Sequence, residues 1–319
     1  MELLLSCIST NHSLLKNHWA QTRQQPQEQQ HTECPVTVLG SREKPKEDQG
    51  GLLCILREDG SVKASLDLPM PAGLVFTDDG ILVASSYDIF HVSRELATVD
   101  QQTISLPSFN LLHSLSRSQR GYLVASTGLD VILELTRDGE VLWDWWAIDH
   151  GFTRTPTGEE RYIDKSVDYR GVKFGTLGQT THVNSVAELP DGTILATFFH
   201  QGALVAIDRS SGDVRTVLDG LDHPHSVRIL NDHYVTIADT GRGRGLLVRL
   251  QDFKGTIEAE VPADTTWLQD CSYNVAQDLW FLVDGKNSRI VLRSGASGDK
   301  LQGQIDVNPE WRLYEALSF

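Results

Sequence analysis

The chain lacks the features that mark several large classes of protein. Its 319 residues carry 28 lysines and arginines against 43 aspartates and glutamates, a net charge of −15, with no run of basic residues. This balance argues against nucleic acid and anionic membrane as partners, whereas it allows a neutral or cationic one. The four cysteines form no Cys-x-x-Cys pair, so neither a structural zinc site nor a disulfide scaffold is indicated.

The N-terminal residues do not match the pattern of a targeting signal. MELLLSCISTNHSLLKNHW has no basic segment, and its apolar run is only a few residues long, too short for a signal peptide or a membrane span. We therefore expect residues 3–10 to form a strand and the protein to be cytoplasmic.

The chain does contain a repeat with the length of a β-propeller blade. A short strand, a polar turn and a more apolar strand recur, as in MPAGLVFTDDGILVASS and THVNSVAELPDGTILATFF. A second hairpin such as ALVAIDRSSGDVRTVL follows, which makes four strands per repeat. The copies align on a small residue, and these residues lie 41 to 46 positions apart except for one longer interval: Gly73, Ser114, Ser185, Ser226 and Ser272.

The repeat predicts an all-β fold, a six-bladed β-propeller with four-stranded blades, spanning residues 1–319 as one domain. The strand at 3–10 has no inner strand before it in the chain. We expect the C-terminal stretch WRLYEALSF (311–319) to supply that strand, so that the two ends of the chain close one blade and remove an exposed edge.

Two segments exceed the repeat, one at 11–50 and one at 147–180. The first contains a glutamine-rich stretch at 22–32 that has little apolar surface to bury, so we predict it to be mobile. Counting strand directions places both long loops on the face where the inner strands begin. The tight Asp-Gly turns, such as Asp191-Gly192, fall on the opposite face.

Polar side chains stand where the inner strands begin. Three of them directly precede the small residue, namely His113, Asn184 and His225, and three lie two residues earlier, namely His182, His223 and Gln269. We predict a His-lined pocket near the axis, in which His182 and His225 are catalytic. Asn184, His223 and Gln269, with His150 from the long loop, are predicted to bind substrate. The structural alternative is that these side chains hydrogen-bond neighbouring blades.

Two further predictions concern charged ligands. His113, His182, His225 and Asp270 are an alternative set of ligands for a divalent metal, since neutral imidazole suits zinc, copper and iron. Arg242 and Arg244 lie between glycines in TGRGRGLL, a loop on the same face, and are predicted to clamp an anionic group of the substrate. A flexible hairpin tip with solvated charges is the alternative for this loop.

The stretch EVLWDWWAIDH, followed by THVNSVAELPDGTILATFFHQGALVAIDRSSGDV, resembles the arylsulfotransferase-like propellers. The resemblance covers the region from Glu140 to Thr240 and implies transfer of a sulfuryl group between phenols through a histidine, without a nucleotide donor. By this resemblance, His182 and His225 correspond to the family's histidines at the blade entries. Arg242 or Arg244 corresponds to the family's arginine at the channel mouth. The chain has no histidine after His233, where the sulfated one is expected.

The favoured function is therefore an arylsulfotransferase-like group transfer on a small aromatic or anionic molecule, with the histidines as base or nucleophile. A metal-dependent lyase, hydrolase or oxygenase is one alternative. A non-catalytic propeller that binds a ligand or a protein is the other. The sequence leaves the substrate and any cofactor undetermined.

Overall fold

Six antiparallel sheets follow one another along the chain, as the repeat predicts. The structure, a computed structural model, describes residues 1–17, 50–99 and 104–319. The chain is a six-bladed β-propeller. The prediction of mobility at 22–32 lies outside the described residues.

Blades 1 to 3 contain the first strands of the chain. Blade 1 holds β1 (Glu2–Ser9), β2 (Leu52–Arg57) and β3 (Val62–Asp67), and blade 2 holds β4 (Leu74–Phe76), β5 (Ile81–Ala84) and β6 (Ile89–Val92). Blade 3 holds β7 (Leu112–Arg117), β8 (Tyr122–Ser126), β9 (Val131–Leu135) and β10 (Val141–Trp146). Val99 and Ile104 form isolated bridges to β6, on the side where a fourth strand of blade 2 belongs.

Blades 4 to 6 are regular. Blade 4 holds β11 (Val183–Glu188), β12 (Ile194–Phe198), β13 (Ala203–Ile207) and β14 (Val214–Leu218). Blade 5 holds β15 (His225–Asn231), β16 (Tyr234–Asp239), β17 (Arg244–Gln251) and β18 (Lys254–Pro262). Blade 6 holds β19 (Leu268–Asn274), β20 (Leu279–Asp284), β21 (Arg289–Ser294) and β22 (Lys300–Asp306).

The remaining elements are one strand and short helical turns. The strand β23 (Arg312–Ser318) follows blade 6, and residues 12–17 are helical. The 3₁₀ turns span Thr127–Leu129, Ala147–His150, Thr176–Gly178 and Thr240–Arg242. No helix among the described residues is long and apolar enough to cross a membrane.

The C-terminal strand closes the ring, which confirms the prediction for WRLYEALSF. β23 pairs antiparallel with β1, with Leu4 opposite Leu317 and Leu5 opposite Ala316. β23 is thereby the inner strand of blade 1, in the order β23, β1, β2, β3. Because the first and last strands share one sheet, no open edge separates blade 1 from blade 6.

The core lies between the blades rather than within any one of them. Buried apolar residues form six clusters, and each cluster joins two neighbouring blades. Strand alternation explains this arrangement: Leu3 and Leu5 pack toward blade 6, whereas Leu4, between them, packs toward blade 2. Each sheet therefore buries both faces, and the inner strands are left to surround the axis.

Both long segments reach the face on which the inner strands begin. The backbone N–H of His12 donates to the carbonyl of Glu310, two residues before β23. In the second segment, the carbonyl of Thr176 accepts a hydrogen bond from Nε2 of His200, which follows β12 in blade 4. We call this the entry face.

Candidate functional site

A cavity of about 470 Å³ lies on the axis of the propeller. All six inner strands contribute to its wall, for example through Leu74, His113, Asn184, Gln269 and Tyr314. His225, Asp270, Arg228 and Glu315 complete its polar part. The axial cavity therefore brings together His113, Asn184, His225, Gln269 and Asp270 from the residues predicted from the sequence.

The tautomer of His113 follows from its partners. The Asn184 side-chain amide Nδ2 donates to the carbonyl of Pro224 at 3.2 Å, which turns Asn184 Oδ1 toward His113. His113 Nδ1 lies 2.9 Å from that Oδ1. Because an amide oxygen can only accept, Nδ1 carries the proton, and Nε2 presents its lone pair.

His225 is held in the same tautomer by different partners. Its Nδ1 lies 2.9 Å from the carbonyl oxygen of His223 and 2.9 Å from Thr240 Oγ1. The carbonyl oxygen accepts the Nδ1 proton, so Nε2 of His225 is also an unprotonated nitrogen. Two imidazoles of the cavity wall therefore offer proton acceptors.

Both rings are uncharged at neutral pH. Burial lowers the pKa of His113 from 6.5 to about 4, although the contact with Asn184 opposes the shift. Burial, together with the nearby His113, lowers the pKa of His225 to about 3. Burial also holds the pKa of His182 well below its ordinary value. A neutral imidazole is the form that can accept a proton or bind a metal.

The opposite part of the wall is charged. Arg228 donates to Asp270 at 3.0 Å and to Glu315 at 2.8 Å, and the side chains of Asp270 and Glu315 are only 3% and 12% exposed. Asp270 also accepts from Ser226 Oγ and from the backbone N–H of Ala316. Glu315 accepts from the backbone N–H of Leu74 at 3.1 Å. Arg228 on blade 5 thus stands between a carboxylate of blade 6 and a carboxylate of blade 1.

His182 lies at the entry face rather than in the wall of the axial cavity. Its ring edge meets His113 with centroids 5.2 Å apart and Phe199 with centroids 4.7 Å apart. Its backbone N–H donates to Asp130 Oδ1 at 2.6 Å, and its Nδ1 contacts Gln179 Oε1. Asp130 is also paired with Arg161 of the long loop, which is therefore tied to the start of blade 4.

The backbone at His182 belongs to the repeat. His182 and His223 have φ of +47° and +56°, in the left-handed region. Met70 and Leu111, at the same position of blades 2 and 3, have φ of +47° and +49°. This conformation therefore belongs to the way inner strands begin and gives no independent sign of a strained active site.

His223 is exposed at the entry face. Its Nδ1 lies 2.5 Å from Asp222 Oδ1, and its ring centroid is 4.2 Å from that of Phe199. Trp267 stands 6.4 Å from both rings. These three rings form an aromatic cluster, and His225 contacts Phe199 and Trp267 of this cluster and also lines the axial cavity.

Arg242 and Arg244 lie on the entry face, but their charges are already paired. Both donate to Asp239 Oδ2, at 3.1 Å and 2.8 Å, and Arg244 also contacts Glu260. Asp284 and Arg289 repeat the second pairing in blade 6 at 2.9 Å, with the same spacing in sequence. Arg242 also lines a surface groove of about 400 Å³ between blades 5 and 6. The predicted anion clamp is thus mainly a structural element of the repeat.

His150 is not brought near the other predicted residues. Its ring stacks on Trp145, with centroids 5.3 Å apart and an angle of 6° between the planes. Trp145 in turn donates to the carbonyl of Gly212 in blade 4. The Trp-x-Trp strand directs this part of the chain to the outer side of blades 3 and 4, away from the axis.

The alternative metal site is not assembled as predicted. The described residues contain no group of three or more His, Cys, Asp or Glu side chains that could hold a metal ion. Asp270 is held by Arg228, Ser226 and Ala316 instead, and His182 is turned toward Gln179 and Phe199. The four side chains therefore do not converge as one ligand set.

Sequence reasoning missed Arg228, Tyr314 and Glu315. Arg228 and Ser226 both contact Asp270, but a register shift between His225 and Arg228 interrupts the alternation that could have indicated a shared face. Glu315 is a lone acidic residue in an otherwise largely apolar strand. Their meeting with Asp270 requires a ring closed in six blades.

Comparison with known proteins supports the fold and leaves the activity open. No family model matches the chain, and no curated protein matches it. Among solved structures, 1161 chains match, so the architecture is shared by many proteins. The resemblance to arylsulfotransferase-like propellers is therefore supported only as far as the propeller fold.

Three similar structures illustrate this breadth. A propeller in a nidogen/laminin complex is 12% identical with a TM-score of 0.61, covering 99% of this chain and 97% of that one. A protein of unknown function from Bacteroides caccae is 14% identical with a TM-score of 0.59, covering 83% and 93%. A virginiamycin B lyase from Staphylococcus aureus is 14% identical with a TM-score of 0.50, covering 76% and 72%. Such identities show the fold alone.

Proposed function

We propose that this propeller binds a small, partly apolar molecule in its axial cavity, and that His113 or His225 accepts a proton from it. The observation that supports this is the pair of uncharged imidazoles whose Nδ1 atoms are committed to other residues. Each ring therefore has Nε2 to offer a ligand. Proton transfer to a positioned neutral imidazole is a common catalytic contribution.

The fold does not choose between catalysis and binding. Structures that share it include one described as a lyase and one from a nidogen/laminin complex. The axial cavity favours a small molecule because polar groups from five inner strands and apolar groups from the sixth surround one volume. A molecule with a hydroxyl or N–H group could donate to either Nε2 while its apolar part contacts Leu74, Val75 and Tyr314.

Arylsulfotransferase-like transfer is a narrower form of this proposal. The Nε2 of a neutral histidine is a suitable atom to accept a sulfuryl group, which favours it. The charges oppose it: Arg228 is shared by two carboxylates, and Arg242 and Arg244 are paired with Asp239. We therefore propose proton transfer as the function, and sulfuryl transfer as an outcome that the same assay can detect.

The test is a fragment screen read at the histidines themselves. Binding of small phenols, alcohols and amines is followed by NMR of the imidazole signals, and turnover by product analysis, including 4-nitrophenyl sulfate as sulfuryl donor. We expect ligands to shift the His113 and His225 signals, and His225→Gln to weaken binding about tenfold or more.

His233→Gln is the matched control because His233 is exposed in the turn between β15 and β16 and does not line the cavity. Binding without turnover would favour the non-catalytic alternative. Ligands that bind tightly yet leave the His113 and His225 signals unchanged would refute the proposal.

A further inference from the structure

The charges on the cavity wall do not balance. Its acidic and basic side chains are Arg117, Arg228, Glu188, Asp270 and Glu315, and both lining histidines are neutral. With every carboxyl ionised, the formal sum of these lining side chains is −1, and Glu188 is also paired with Arg209, which does not line the cavity. This excess comes from one cluster, since Asp270 and Glu315 share the single guanidinium of Arg228.

The hydrogen-bonding groups of the wall also favour a ligand that donates hydrogen bonds. His113 and His225 present lone pairs at Nε2 once their Nδ1 protons are assigned. Each Glu315 oxygen makes one hydrogen bond, to Arg228 or to Leu74, and a carboxylate oxygen can accept two. The wall is therefore rich in acceptors for a ligand that brings several N–H donors.

An aromatic face lies beside these acceptors. Tyr314 lines the cavity next to Glu315, and its ring centroid is 5.6 Å from that of His113. Aromatic rings attract cations through the negative potential of their faces, most strongly when water is excluded. A carboxylate, two imidazole lone pairs and a tyrosine ring together suit an organic ammonium ion.

We propose that the ligand of the axial cavity is an organic ammonium ion, with Glu315 as its counter-charge. This inference rests on the proposed function, because it names the substrate class of the same cavity. It departs from the expectation of an anionic substrate, since the predicted arginine clamp is paired elsewhere.

Binding of a cation is expected to release a proton. Burial raises the pKa of Glu315 to about 7, although the charge of Arg228 opposes the shift. The groups that act on the Glu315 carboxyl are Arg228 from β15, Asp270 from β19 and the N–H of Leu74 from β4, while the backbone N–H of Glu315 donates to Ser6 Oγ on β1. An ammonium ion beside Glu315 would lower its pKa again, so that a partly protonated carboxyl ionises on binding.

The experiment compares three probes that share a phenol ring: tyramine, tyrosol and 4-hydroxyphenylacetate, with an ammonium, hydroxyl and carboxylate tail respectively. Isothermal titration at pH 7 on the full chain should give tyramine an affinity about tenfold or more above that of tyrosol, and weaker binding still for the acid. Titrations in buffers of different ionisation enthalpy should show proton release for tyramine alone.

Variants assign the effect to Glu315. Glu315→Gln should remove most of the preference for tyramine and its proton release, while tyrosol binding changes little. Glu258→Gln is the control, since Glu258 is an exposed carboxylate on β18 paired with Arg249. If Glu315→Gln fails to fold, the selectivity of the unmodified chain among the three probes still decides the question.

The results separate this inference from the proposed function. Tyrosol or the acid binding as tightly as tyramine, with shifts at His113 and His225, would overturn the ammonium ligand and leave the axial site standing. No probe binding up to about 10 mM, with the imidazole signals unmoved, would contradict both.

Discussion

The loop of blade 5 and the wall of the axial cavity both hold buried charged groups, but only the first recurs in another blade. Asp239 and Arg244 bond across the start of β17, and Asp284 and Arg289 do the same at β21. Arg209 also stands between two buried carboxylates, Glu134 and Glu188, but it lies in the turn between β13 and β14. Among the described inner strands, Arg228 is the arginine that holds two carboxylates. In a repeat protein, a polar group that recurs belongs to the architecture, and one that does not is a candidate for function.

The largest test of the architecture is removal of the closing strand. Deleting residues 311–319 should leave β1 without its inner partner and expose the edges of blade 1 and apolar surface of blade 6. We expect insoluble or unfolded protein, measured by solubility and circular dichroism. Deleting Phe319 alone is the control, since it lies beyond β23. A truncated chain that melts like the full one would refute this account of ring closure.

A smaller loss is expected from the repeated ion pair. Asp239 is fully buried and binds Arg242, Arg244 and the backbone N–H of Asp222. Asp239→Ala should lower the free energy of unfolding by about 1 to 3 kcal/mol, because it leaves the N–H of Asp222 and the partly buried guanidinium of Arg244 without this partner, although Arg244 keeps Glu260. Asp284→Ala should lower the free energy of unfolding by a similar amount, and denaturant unfolding of both variants measures the two losses. Loss of ligand binding at unchanged stability would instead place Asp239 in the site.

The loss of stability at acidic pH tests whether His113 and His225 are buried as neutral rings. The pKa values of His113 and His225 are lowered from 6.5 to about 4 and about 3 in the folded chain. As the pH falls, these histidines bind protons in the unfolded chain before they do so in the folded chain. Their contribution to the free energy of unfolding is therefore complete above pH 6.5 and decreases as the pH drops toward 4. His225→Gln should reduce this loss by about 2 kcal/mol between pH 6.5 and 4. An unchanged loss would show that His225 is not buried neutral.

Glu315 contributes with the opposite sign. Its pKa is raised from 4.5 to about 7, so its contribution to stability is present below pH 4.5 and is lost as the pH rises through 7. Comparing the pH profiles of the native chain and of Glu315→Gln therefore separates the carboxyl from the imidazoles. The two groups oppose each other between pH 4.5 and 6.5.

The smallest effect is expected at Arg242. Its side chain is 46% exposed, and Arg244 remains to neutralise Asp239. Arg242→Ala should change the free energy of unfolding by about 0.5 kcal/mol or less and leave axial binding intact. Abolished binding of an anionic substrate would restore the arginine clamp predicted from the sequence.

Much of the fold could be predicted because each blade is a local pattern. Strand alternation and turn residues within about 40 residues define a blade, and the missing partner of β1 indicated how the ring closes. Strand parity likewise placed the histidines and the long loops on one face. The sequence also contains the spacing shared by Asp239-Arg244 and Asp284-Arg289, which could have indicated a structural role for the arginine.

The site could be predicted only in part, because its contacts join distant blades. Arg228 is 42 residues from Asp270 and 87 from Glu315, and which inner-strand residues meet depends on the closed ring. The same limit applies to His150, whose neighbour Trp145 turns it outward. Residue type indicated imidazole chemistry, but packing decided that His113 and His225 line the cavity and that His182 does not.

The central claim is that His113 and His225 present unprotonated Nε2 atoms to the axial cavity. Long-range ¹H–¹⁵N correlation of the histidine rings at pH 7, assigned with His113→Gln and His225→Gln, measures this directly. The account predicts two neutral rings protonated at Nδ1, unchanged down to about pH 5 and shifted by a ligand of the cavity. Rings protonated at Nε2, or charged at pH 7, would contradict it.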